Sequence, residues 1–148
     1  MKVVDLTYIR SIADDASTIA SFMSIFNEQL VEFEIALDEE FSRRNWRRVS
    51  EIAHKAKSSI VSMGMKDLAD SMKRLEMLAK QLYVELPLAL PNIVETYKAQ
   101  LDGLPDDLKQ WISSNKTLDA VEQLINFYKS QAKLAKADLV EFFESKCN

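Results

Sequence analysis

Glycine, proline, cysteine and histidine are all scarce here: 148 residues contain two glycines, three prolines, one cysteine and one histidine. So few turn-formers leave little material for hairpins, which argues against a sandwich or barrel and for helices. With Cys147 alone, no intramolecular disulfide is possible, and a reducing compartment fits. That thiol, next to the last residue, reads as incidental. No apolar stretch reaches membrane-spanning length. The opening Met1-Lys2-Val3-Val4-Asp5 lacks the long apolar region of a signal peptide. A cytoplasmic protein is expected, with no membrane partner. Basic excess is missing too: the net charge is −4, against the basic stripe of a nucleic-acid binder. The one basic cluster, Arg43, Arg44, Arg47 and Arg48, sits among acids and reads as a solvated helix junction. Contact with an acidic partner is its lesser reading.

Hydrophobic residues make up 47% and charged residues 28%, ordinary globular usage. One domain over 1–148 is expected. It should bury roughly 68–70% of the surface of its unfolded chain, enough for a core without metal or disulfide staples. Asp5 or Thr7 can cap a short helix through Ala13, which Asp14-Asp15 ends while capping the next. Ile19, Phe22, Met23, Phe26, Leu30, Phe33, Leu37 and Phe41 recur at three- and four-residue steps, predicting one helical stripe over about 16–44. Asn45 can cap a helix over 46–63, with an apolar stripe from Trp46 through Val49, Ile52, Ala53, Ala56 and Ile60 to Met63. Gly64 ends it. A third long helix over 66–83 faces Leu68, Ala69, Met72, Leu75, Leu78, Ala79 and Leu82 inward. Pro87 and Pro91 break the pattern, so 84–116 reads as a helical connection with short helices near Ile93–Leu101 and Asp106–Ser113. A last long helix over 117–143 carries Val121, Leu124, Ile125, Tyr128, Ala132, Ala135, Leu139 and Phe142. Four long amphipathic helices bury their stripes most simply in an all-α antiparallel four-helix bundle. The short N-terminal helix and the connection before the last helix are additions to it.

A bundle is a scaffold, and its function must be argued from a site. The lone histidine, His54, falls roughly 140° around the wheel from the centre of its helix's apolar stripe. The ring should therefore project outward, which disfavours a core histidine. An ordinary surface histidine is the commoner occupant of such a position. The neighbours count against that bland reading: Lys57 and Ser58 share the face of His54 one turn on, and Ser59, Ser62 and Gly64 keep the surroundings low. A free imidazole, with a pKa of about 6.5, is largely neutral and nucleophilic near pH 7. A phosphoryl group on its nitrogen would bring negative charge that a nearby cation offsets. Lys57 can do that, although a lysine on a wet helix face is individually common.

The segment Ala53-His54-Lys55-Ala56-Lys57-Ser58-Ser59, followed by Gly64, resembles the phosphoacceptor motif of histidine-containing phosphotransfer (HPt) domains. Their pattern is a histidine, a lysine three positions later, two small residues, and a glycine about ten positions after the histidine. The downstream run Asp67 to Glu76 is similar to the family's following helix, and the likeness covers about residues 5–83. It implies a four-helix bundle with His54 as an exposed acceptor. It implies transfer from a phospho-aspartate on one response-regulator receiver domain to His54, then to an aspartate on another, fed by a hybrid sensor histidine kinase. By the same resemblance Lys57 stabilises the phosphoryl group, and Ser58 and Ser59 let the receiver approach. Ser58 replaces the family's frequent glycine. Val61, two turns along the face of His54, is expected to join the docking patch. Partial burial of Val61 against another helix is the equal alternative. Glu76 and Lys80, on the next helix, receive no role. The connection 84–116 is longer than the family's usual one.

The chain therefore reads as a phosphocarrier and not an enzyme. It lacks a glycine-rich phosphate loop and room for a kinase's ATP-binding domain. His54 has serines nearby but no evident acidic orienter or strained elbow for a triad. One histidine and one distant cysteine cannot supply the roughly four ligands of a zinc site. No cofactor is expected on this chain; by the resemblance, magnesium belongs to the receiver. A monomer is the expected state. The main rival is a non-catalytic helical interaction or regulatory protein in which His54 is ordinary surface.

Overall fold

A computed structural model describes residues 3–12 and 15–147. Among them are seven helices and no strand: α1 (Thr7–Ile12), α2 (Ala16–Ser42), α3 (Trp46–Ser62), α4 (Lys66–Val84), α5 (Pro91–Asp102), α6 (Asp106–Ser114) and α7 (Leu118–Cys147). The expected use of Ala13 and Asp14 falls outside the described residues. Asp15 caps α2, its carboxylate accepting from the Thr18 amide at 2.8 Å. Asn45 caps α3 through the Arg48 amide at 3.3 Å. Such caps satisfy donors that the helix itself leaves orphaned.

α2, α3, α4 and α7 pack in a closed ring, each against the next, as an antiparallel four-helix bundle. The stripes predicted for α3, and nearly all of those for α4 and α7, face the core. Val49, Ala53, Ala56, Ile60, Met72, Leu75, Leu78 and Val121 are sealed from solvent. One correction falls on α2: Phe22 is 38% exposed, because Ile19, Met23 and Phe26 already fill the inward arc. α2 also stops at Ser42, two residues short of expectation, where Arg44 takes a left-handed φ of 56° and turns the chain. The arginine junction is laced to local acids, with Arg43 on Glu40 and Arg47 and Arg48 on Glu51.

Gly64 ends α3 with φ +71°, and a Cβ there would lie 2.5 Å from Asp5 Cβ and 2.6 Å from Asp5 O. Both the turn and the close approach therefore require glycine. Asp5 is pressed against it because the Asp5 amide donates to Met63 O at 2.9 Å. The Val3 and Val4 amides donate to the Asp138 carboxylate at 2.6 and 3.1 Å. The N-terminal segment thus straps the end of α3 to α7. Residues 84–116 fold back along the bundle, with α5 and α6 both packed on α4.

Candidate functional site

His54 lies in the middle of α3, on the side facing α4. Its side chain is 62% exposed, as the wheel predicts, while Ala53 and Ala56 beside it are fully buried. The ring is not free-standing. His54 Nδ1 lies 3.2 Å from Oε1 of Glu76, which reaches across from α4. Glu76 is 2% exposed. A carboxylate so placed needs compensation, and it receives it from three cationic or cation-forming groups. Lys80 Nζ donates to Oε2 at 2.8 Å, Lys57 Nζ is 3.7 Å from Oε1, and His54 holds the same Oε1.

Burial pushes the Glu76 carboxyl up. The hydrogen bond and charge of Lys80, then those of His54, together outweigh burial and bring it below its ordinary value. Glu76 is accordingly an acceptor-only carboxylate near neutral pH. Its contact to His54 therefore places an imidazole proton on Nδ1, and in the neutral ring the lone pair then lies on Nε2.

This corrects the sequence reading that His54 has no acidic orienter. Glu76 is that orienter, and Lys80, also without an assigned role, is its buried counter-ion. A signal was present in α4. Glu76 stands four residues after Met72 and three before Ala79, so a charged residue shares the helix's apolar stripe, with a lysine four residues further on.

The remaining predicted residues divide by exposure. Ser58 and Val61 lie open on the face of His54, Val61 being 57% exposed. Ser59 is half-buried and turned to the flank. Lys57 is partly covered, its ammonium aimed at Glu76. Gly64 is structural. A shallow cleft of about 320 Å³ runs beside the ring between α3, α4 and α5, lined by Ser50, His54, Glu76, Lys80, Tyr97 and Gln100 among others. Among the described residues no cluster of three or more His, Cys, Asp or Glu side chains is arranged to hold a metal ion. None of the described helices is long and apolar enough to cross a membrane. No family model, curated protein or solved structure matches this chain.

Proposed function

We propose that the protein is a histidine phosphocarrier in a phosphorelay, with His54 as the acceptor. One observation carries this reading: an exposed imidazole whose Nδ1 is engaged by a buried carboxylate at 3.2 Å, so that Nε2 is the nitrogen left for attack. In the proposed step the Nε2 lone pair attacks the phosphorus of an aspartyl phosphate on a receiver domain. The P–N bond forms, the P–O bond to the aspartyl group breaks, and the receiver's carboxylate leaves with the electron pair. No proton need move. The imidazole becomes cationic, and its Nδ1–H stays against Glu76. Reversal of the same step onto a second receiver completes the relay.

Phosphoryl transfer of this kind depends on positioning and charge more than on covalent work by the protein. Glu76 fixes the ring, and Lys57, one turn from His54, can turn from Glu76 toward the added phosphoryl oxygens. Ser58 and Val61 offer low, open ground for the receiver. In this proposal magnesium is carried by the receiver.

The test is incubation with a receiver bearing a labelled aspartyl phosphate. Label should move to the wild-type chain as an acid-labile phosphoimidazole and be absent from His54→Gln. Label on His54→Gln, or none on either chain from any receiver tried, would leave the helical interaction module as the better reading.

A further inference from the structure

Glu76 and Lys80 bring α4 to the acceptor, and a third element reaches it from the connection. α5 contributes Tyr97 to the cleft beside His54. The Tyr97 ring meets Tyr83 edge-on, centroids 5.5 Å apart and planes at 72°. The Tyr83 hydroxyl accepts from the Leu90 amide at 3.0 Å, fixing the chain just before α5 begins. So anchored, the Tyr97 ring lies 5.2 Å from Lys80 Nζ. Lys80 is 7% exposed, and Glu76 is the carboxylate it pairs with. An ammonium withdrawn from water keeps its place only where other groups replace its hydration. The negative face of an aromatic ring does so, whereas an aliphatic side chain of similar bulk does not.

We propose that Tyr97 is a positioning residue for the acceptor histidine: its ring holds Lys80 against Glu76, so that Oε2 stays committed to Lys80 and Oε1 to the His54 Nδ1–H. This rests on His54 being the phosphoacceptor. It makes the connection 84–116 part of the site. Without the ring, Lys80 swings to solvent, Glu76 loses its fixed orientation, and the imidazole relaxes toward the Nε2–H tautomer, which blocks the attacking nitrogen.

The test is imidazole ¹⁵N NMR on the full chain, with no receiver present, reading the fraction of neutral His54 protonated on Nδ1. The transfer rate from a phosphorylated receiver is then measured on the same samples. In wild type the Nδ1–H form should dominate. Tyr97→Leu and Lys80→Met should both shift most of it to Nε2–H. Transfer should slow by roughly tenfold, within the ~10²-fold that a misplaced reacting group can cost. Tyr97→Phe should match wild type. Should Tyr97→Leu fail to fold by circular dichroism, Lys80→Met decides, since it keeps the ring and loses the cation.

A wild-type tautomer in the folded loss variants would overturn the inference. So would Tyr97→Phe behaving as Tyr97→Leu, which would shift the role to the hydroxyl and its interaction with Ser50. Glu76→Ala separates the two levels. If it leaves the tautomer unchanged, the assignment of Nε2 as nucleophile falls along with the role of Tyr97. If it shifts the tautomer and the Tyr97 variants do not, only the role of Tyr97 falls. Expected tautomer shifts without phosphate on His54 from any receiver would sink the relay reading and leave the positioning intact.

Discussion

Two seams of this bundle treat charge in opposite ways. Between α2 and α7, Leu30, Leu37 and Ala135 are sealed in, and a neutral group makes a hydrogen bond across this interior. Tyr128 donates its hydroxyl to Leu30 O at 2.6 Å. Burial, its main influence, pushes that phenol far above its ordinary range. At this seam's rim Lys129 meets Asp38 at 2.7 Å, with both side chains more than a third exposed. Between α3 and α4 the arrangement is reversed. A carboxylate and an ammonium are interred together, and an imidazole and a second ammonium reach in from the surface to the same carboxylate. A buried ion pair contributes little net stability compared with apolar packing of similar volume. The α2–α7 seam is closed by apolar packing and a neutral hydrogen bond. The charges of the other seam are thus better explained by the proposed work of His54 than by the fold.

The largest break in this contrast should come from Glu76→Ala, which strands Lys80 as an unpaired buried cation. A loss of about 3–5 kcal/mol in denaturant-measured stability is expected. Glu76→Leu with Lys80→Met should recover most of that loss while leaving His54 without its orienter. Failure of the double variant to regain stability would mean that the seam's charges hold up the fold after all.

Acidity should act on the same group. The folded value of Glu76 is lowered below the ordinary 4.5, so below that value the unfolded chain binds more protons. Its stabilising contribution is complete above pH about 4.5 and is lost as pH falls through the depressed folded value. The stability gap between wild type and Glu76→Gln should therefore narrow in acid. A gap unchanged from pH 7 to pH 3 would contradict this.

At the apolar seam the effects should shrink. Tyr128→Phe keeps the packing and removes one hydrogen bond, for a cost of about 1 kcal/mol. Lys129→Ala, at the exposed rim, should cost less than about 1 kcal/mol and fade in high salt. A Lys129→Ala effect rivalling that of Glu76→Ala would erase the distinction between the seams.

Much of this was legible beforehand. The α3 stripe, the Asn45 cap, the glycine end of α3 and the outward aim of His54 follow from local periodicity and turn chemistry. Both short helices of the connection were expected, but α5 begins at Pro91, two residues before Ile93, because proline suits the first helical position. Phe22 was misplaced because a three- and four-residue pattern does not fix how wide an arc its neighbours cover. Glu76 was seen without a role. The residue it serves is 22 positions away, and no periodicity within one helix reports which residue of the next stands opposite. Tyr97 lay further out of reach, since nothing local says where a long connection comes to rest.

The sequence by itself determined an all-helical chain with a single histidine, placed so that it cannot point into the core. Helical periodicity is a short-range property, and each element carries its own. Only the packing decided what that histidine touches. Charges on α4 and an aromatic ring on α5 act on His54 across space, and their placement depends on the helical register and fold-back that the assembled bundle sets.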